Sequence, residues 1–96
     1  MNIALVKLSA IGDVVHALPV ASALHAALPQ ARLVWIVERR EAAVLRGHPA
    51  LWEIVPVDTR GWRRARTLRA VVETAGAMAA LRRRLRAFRF DVAIAL

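Results

Sequence analysis

Residues 3–19 read IALVKLSAIGDVVHALP, and this stretch decides the fold. Residues 3–8 form a short apolar run with β-branched members, which is typical of a strand buried on both faces. Residues 9–13 have the composition of a turn. Apolar residues then recur at helical spacing over 14–28, so we predict a helix there, in which Pro19 either precedes the regular turns or kinks them.

The rest of the chain continues this alternation of strands and helices. We predict strands over 32–37, 53–57 and 91–96, the last of them buried, with a short helix over 41–46, a loop over 58–64 and a long helix over 65–88. Gly47 is expected to close the short helix, and Gly76 to break the long one. Pro56 suggests the end of its strand or an unpaired position. The alternation predicts an α/β fold, a Rossmann-like parallel sheet with flanking helices.

Composition limits the class of protein. The chain has 96 residues, 58% of them hydrophobic, so we expect one small domain rather than a disordered segment. It contains no cysteine, which excludes disulfides and thiolate metal sites, and its three histidines show no ligand spacing. We therefore predict no metal. No apolar run has the length of a signal peptide or membrane span, so a cytoplasmic protein is expected.

The formal net charge is +8, from 15 basic and 7 acidic residues. Such a charge indicates an anionic partner, or else a solvated basic face with no partner at all. One candidate is a basic module that binds nucleic acid, whose phosphate contacts would make binding strongly salt-dependent. The chain has no recognised nucleic-acid-binding motif and its aromatic residues amount to 5%, so we expect no nucleic acid partner.

The turn between the first strand and helix carries the clearest chemistry. Gly12 allows backbone to approach a ligand closely, and the amides that open the next helix favour anions. A lone glycine fits neither the dinucleotide fingerprint nor the P-loop. The helix dipole favours the charged form of Asp13, which could then act as a general base toward a hydroxyl. Alternatively, Asp13 or Ser9 simply caps the helix, and His16 bonds to nearby backbone.

The sequence VKLSAIGDVVHALP (6–19) resembles the N-terminal motif of the bacterial lipopolysaccharide heptosyltransferases, glycosyltransferase family 9, and is most similar to their heptosyltransferase I branch. Three further features agree in order: WIVE (35–38), IVPV (54–57) and RGWRR (60–64). DVAIAL (91–96) is similar to a strand that in the family continues into Asp-x-Gln-Gly-Leu, although Ala95 stands where that aspartate is expected. The resemblance spans the whole chain but only about the first third of a family member.

This resemblance implies a GT-B enzyme, with residues 1–96 forming part of its N-terminal, acceptor-side Rossmann-like domain. A C-terminal domain, absent from this chain, would bind the donor ADP-heptose. The implied reaction is inverting transfer of heptose to the Kdo of lipid A, with no metal or cofactor and with Asp13 as general base. The chain alone is expected to be inactive, with its last strand exposed at the sheet edge. The alternative within the family is a heptosyltransferase II or III that acts on a heptosylated core.

The resemblance also implies acceptor contacts. The expected residues are Ser9, Gly12, Arg60, Arg63 and Arg64. Guanidinium groups can bind the carboxylate of Kdo and the phosphates of lipid A through paired hydrogen bonds, whereas Trp62 is expected to pack against the domain. A later basic run is assigned to a solvated helix face, or to attraction by the anionic inner leaflet, on the cytoplasmic side of the inner membrane. Its members are Arg82, Arg83, Arg84 and Arg86.

Overall fold

The computed structural model describes residues 1–64 and 66–96, which contain one four-stranded, wholly parallel sheet. The strands are β1 (Asn2–Val6), β2 (Arg32–Glu38), β3 (Glu53–Val57) and β4 (Val92–Ala95). The helices are α1 (Ile11–Ala27), a 3-10 helix (Arg39–Leu45), α2 (Thr59–Arg63) and α3 (Leu68–Phe88). The predicted α/β class is confirmed.

The sheet order is β3-β2-β1-β4, so β1 and β2 are central and β3 and β4 are edges. In register, Leu5 is paired with Trp35, and both are fully buried. They join a core cluster on one face of the sheet to which α1 contributes Val14 and the 3-10 helix contributes Leu45. Burying each such side chain contributes about 1.5–3 kcal/mol, so the central strands and these two helices form the stable centre.

The two faces of the sheet are covered by different helices. The connections from β1 to β2 and from β2 to β3 step in one direction, whereas the connection through α3 to β4 steps back across β1. Because parallel crossovers are right-handed, α3 lies on the face opposite α1. None of the residues of α3 is buried, although Ala4, Val34 and Val55 on that face of the sheet are.

The start of the first helix and the segment after β3 differ from the sequence prediction. Helix α1 begins three residues earlier than predicted, at Ile11, and continues through Pro19. Gly12 and Asp13 therefore belong to its first turn rather than to a preceding loop. Residues 59–63, predicted as loop, form α2, because the Asp58 carboxylate caps its first turn by accepting from the Gly61 amide at 3.0 Å.

The long helix was predicted to start at Ala65, which lies outside the described residues, and to break at Gly76. The break is wrong: α3 is continuous across Gly76. A single helical glycine costs only about 0.5–1 kcal/mol, which the neighbouring alanine, leucine and arginine residues offset.

Strand β4 is not the buried strand that its apolar sequence predicts. Ile94 and Leu96 are partly buried against the core, but Val92 is 43% exposed. The reason is its position, since β4 pairs only with β1 and its outer edge has no neighbour in the described chain. Pro56 does occupy an edge strand, β3, as its missing N–H requires.

Candidate functional site

The carboxyl ends of the four parallel strands meet at one edge of the sheet. The chain leaves β1 toward β2 on one side and later returns through β4 on the other, so the topological switch point lies between β1 and β4. Ligands of open α/β sheets bind outside such a switch point. The segment that follows β1, Lys7 to Asp13, lies there.

The first turn of α1 presents an uncommitted carboxylate at this switch point. The N-cap residue is Ala10, whose backbone is extended (φ −84°, ψ 179°) and whose side chain supplies no cap. Over residues 1–64 and 66–96, neither the Ser9 hydroxyl nor the Asp13 carboxylate makes a hydrogen bond or ion pair. The capping alternative is therefore excluded within that range, and the exposed Asp13 side chain is available to a ligand.

No steric contact with neighbouring side chains explains why residue 12 is a glycine. A Cβ built at Gly12 meets nothing within 4 Å, so neighbouring side chains do not require glycine there. The open space adjoins the amides of the first helical turn, which have no partner within the helix. A small residue here allows a ligand to approach the backbone closely.

The segment that leads into α1 is fixed to β2 beyond the end of β1. The Trp35 indole Nε1–H donates to the Lys7 carbonyl at 3.1 Å, and the Glu38 amide donates to the Leu8 carbonyl at 2.9 Å. Trp35 is fully buried, so its ring cannot shift without opening the core. The two bonds set the position from which the chain enters α1.

A buried polar cluster joins the ends of β2 and β3. Glu38, 2% exposed, accepts from the Thr59 hydroxyl at 2.6 Å and from the Arg60 amide at 3.2 Å. The Arg60 Nη2 donates to Glu41 Oε1 at 3.2 Å. Sequence reasoning assigned no role to Glu38 or Glu41, although two glutamates beside a strand end, three residues apart, were the available signal.

The basic residues of the segment after β3 divide into two kinds. The Arg60 side chain is 31% exposed and paired with Glu41, whereas Arg63 and Arg64 are exposed. Trp62 is partly buried and lines a cleft of about 610 Å³ between the 3-10 helix and α3. Neighbouring strands are about 4.8 Å apart, so β3 ends about 10 Å from β1. The structure thus brings Arg63 and Asp13 to one edge of the sheet without contact in the described chain.

No protein-family model matches the chain. Lipopolysaccharide heptosyltransferase 1 of Pseudomonas aeruginosa is 39% identical to it over 64 residues, which are 67% of this chain and 18% of that relative. The solved structure of the Escherichia coli heptosyltransferase WaaC with ADP-2-deoxy-2-fluoro heptose matches 99% of this chain and 29% of its own, at 32% identity and a TM-score of 0.83. The chain is related to the lipopolysaccharide heptosyltransferases.

The resemblance noted in the sequence is thereby confirmed. A glycosyltransferase of family 9 from Veillonella parvula shares the fold, with a TM-score of 0.71 at 23% identity over 99% of this chain and 25% of its own. The chain spans about a fifth of the length of the curated heptosyltransferases that it matches.

The later basic run, residues 82–86, lies on α3. Arg82, Arg83 and Arg86 are exposed and line one surface of the helix with Met78. Arg84 instead donates to Glu53 at 3.3 Å at the amino end of β3. All four arginines are exposed, as predicted for a solvated helix face, and Arg84 is in addition ion-paired.

Two kinds of feature are absent from the part of the chain that the structure describes. No group of three or more histidine, aspartate or glutamate side chains is placed to hold a metal ion there. In the same residues, no helix combines the length and the apolar character needed to cross a membrane.

Proposed function

We propose that this chain forms the acceptor-side part of a heptosyltransferase that moves L-glycero-D-manno-heptose from ADP-heptose to the Kdo of lipid A. Residues 1–96 would belong to the N-terminal domain of a GT-B enzyme, and a C-terminal domain would bind the ADP-sugar. The 96 residues alone would then lack a donor site and be inactive. Relatedness to heptosyltransferases over two thirds of the sequence and 99% of the fold supports this proposal.

The observation that carries the proposal is the position of Asp13. Its exposed carboxylate lies in the first turn of α1, at the switch point, and no side chain or backbone group of the described residues engages it. A group in this state can accept a proton from an acceptor hydroxyl. The hydroxyl oxygen would attack the anomeric carbon of the heptose as the bond to ADP breaks, and the configuration there would invert.

The acceptor would be held by residues around this carboxylate. Ser9 and Gly12 would line the site through hydroxyl and backbone contacts, and Arg63 and Arg64 would bind the carboxylate and phosphates of the acceptor. Both arginines are exposed, and neither has an ion pair in residues 1–64 and 66–96. Arg60 belongs to the same segment, but its guanidinium already faces Glu41.

The lipid nature of the acceptor also suggests a location. The enzyme would work in the cytoplasm, at the cytoplasmic face of the inner membrane. Exposed arginines on α3 would favour an anionic leaflet there, by about 1 kcal/mol for each arginine near the surface. The proposed reaction needs no metal or cofactor.

Replacing Asp13 by asparagine in the full-length protein tests the proposed base. Asparagine keeps the shape but cannot take up the proton, so transfer should fall by about 10²–10⁴-fold, with the KM for ADP-heptose nearly unchanged. The matched control is Asp91→Asn at the amino ends of the strands, where the carboxylate accepts from the Asn2 amide at 2.7 Å. Turnover by Asp13→Asn within threefold of Asp91→Asn would exclude Asp13 as the base.

The same assay on a panel of acceptors separates the members of the family. Transfer to lipid A that carries only Kdo is expected here. Activity restricted to a heptosylated core would instead identify a heptosyltransferase II or III. The absence of transfer from ADP-heptose to every acceptor would contradict the proposed function as a whole.

A further inference from the structure

Glu38 is a buried carboxylate at the last position of β2, where a charged side chain is costly unless it is fully bonded. It is 2% exposed, and both of its oxygens are used: Oε2 by the Thr59 hydroxyl and Oε1 by the Arg60 amide. Both donors lie in the first turn of α2. A negative charge at a helix N-terminus is stabilised by the free amides and by the helix dipole.

These hydrogen bonds join β2 to α2, two elements that no local sequence pattern connects. Glu38 belongs to β2 and its partners lie more than twenty residues further on, after β3. Helix α2 has five residues, none of them is buried and the Trp62 ring is only partly so, so hydrophobic packing alone does not fix its position. A helix this short is not stable by itself. The carboxylate is therefore a main constraint on where α2 lies.

The side chain of Arg60 adds a second connection of the same kind. Its Nη2 donates to Glu41 Oε1 at 3.2 Å, and the Glu41 side chain is only 9% exposed. Nη1 of Arg60 and Oε2 of Glu41 are both buried and have no partner in the residues described. An arginine whose charge is balanced by a buried glutamate is a weaker attractor for an outside anion than an exposed one.

We propose that Glu38 is a positioning residue, which holds α2 at the carboxyl edge of the sheet so that Arg63 and the following Arg64 are presented to the acceptor. Arg60 helps to fix α2 through its ion pair with Glu41, and it contributes by positioning this helix rather than by contacting the acceptor. This assignment rests on the proposed function, because it takes the exposed arginines to be the acceptor contacts. It gives a role to two glutamates that the chemistry at Asp13 does not use.

The test uses the full-length protein and three substitutions in the cluster. Glu38→Gln keeps the shape, but its amide nitrogen cannot accept one of the two hydrogen bonds. Thr59→Val removes the hydroxyl donor, and Thr59→Ser restores it. Glu53→Gln is the control, since Glu53 pairs with Arg84 at the amino end of β3 and its side chain is 41% exposed.

Steady-state kinetics and hydrogen exchange are measured on each variant. For Glu38→Gln and Thr59→Val we expect the KM for the Kdo-bearing acceptor to rise about tenfold, a change of 1.4 kcal/mol. The kcat and the KM for ADP-heptose should stay within threefold. Amide exchange over residues 59–64 should accelerate about tenfold, while exchange in β1 and β2 is unchanged. Thr59→Ser and Glu53→Gln should behave like the unsubstituted protein.

Three results would overturn the assignment. The first is an unchanged acceptor KM in Glu38→Gln. The second is faster exchange spread equally over β1, β2 and residues 59–64, which would mark a general loss of stability. The third is a Thr59→Ser variant as impaired as Thr59→Val. If the unsubstituted protein transfers no heptose, the proposed function fails, and the exchange data alone then decide whether Glu38 holds α2.

Discussion

Trp35→Phe is the substitution whose effect can be worked out most fully from the structure. The Trp35 side chain is fully buried in the core, and its Nε1–H donates to the Lys7 carbonyl at 3.1 Å. Phenylalanine keeps one aromatic ring but removes the donor and the second ring. The carbonyl that immediately precedes the Leu8–Ser9 entry to α1 would then lose its side-chain partner.

The expected cost has two parts. A net hydrogen bond contributes about 0.5–1.5 kcal/mol. The void left by the missing ring atoms exceeds a methyl group, and each methyl-sized cavity costs about 1 kcal/mol. We therefore expect the free energy of unfolding to fall by about 2–3 kcal/mol, a large part of the roughly 5–15 kcal/mol typical of a domain.

Urea denaturation of the 96-residue chain, followed by far-UV circular dichroism, measures this loss without relying on tryptophan fluorescence. The control is Trp52→Phe, at a ring that is 52% exposed and lies 4.9 Å from the Arg32 guanidinium and 5.9 Å from the Phe88 ring. Phenylalanine retains weaker forms of both contacts, so a loss below about 1 kcal/mol is expected. Equal losses in the two variants, within 0.5 kcal/mol, would refute the reasoning.

The same denaturation assay checks two further pairs of substitutions. Leu45→Ala should lower the free energy of unfolding by about 2–5 kcal/mol, because Leu45 is fully buried. Leu68→Ala, at a side chain that is 82% exposed, should change it by less than about 0.5 kcal/mol. Similar values for the two variants would contradict the core assignment. Gly47→Ala should lower the free energy of unfolding by about 1 kcal/mol, because Gly47 has φ +76°. Gly76→Ala should raise it by about 0.5–1 kcal/mol, because Gly76 lies in the middle of α3 with open space around it. Changes of the same sign at both glycines would contradict the backbone assignments.

The candidate site was only partly predictable from sequence. Asp13, Ser9 and Gly12 stand in one local motif, so their proximity follows from chain connectivity alone. The buried cluster of Glu38 and Thr59 could not be found in that way, because its members are 21 residues apart and meet only when β2 and β3 pair. The same pairing brings Arg60 to Glu41, so Arg60 is ion-paired whereas the arginines that follow it are exposed.

Helix α2 shows why a local prediction failed there. Asp58 followed three residues later by Gly61 was a visible capping signal, and a Cβ at Gly61 would collide with the Asp58 carboxylate that caps it. Two further donors of the first turn, the Arg60 amide and the Thr59 hydroxyl, bond to Glu38, from another strand. Without that distant carboxylate, the Asp58 cap alone would have to hold five residues, which is too short a segment for a stable helix.

The sequence by itself determined the alternation of strands and helices, and hence a parallel α/β sheet, because hydrophobic periodicity and turn residues act locally. It also placed Asp13 where the connection from the first strand enters the first helix. Only the tertiary structure decided the sheet order that makes this point a switch point and the burial of Glu38. Each of these depends on which strands become neighbours, and that follows from long-range packing and crossover handedness rather than from any local pattern.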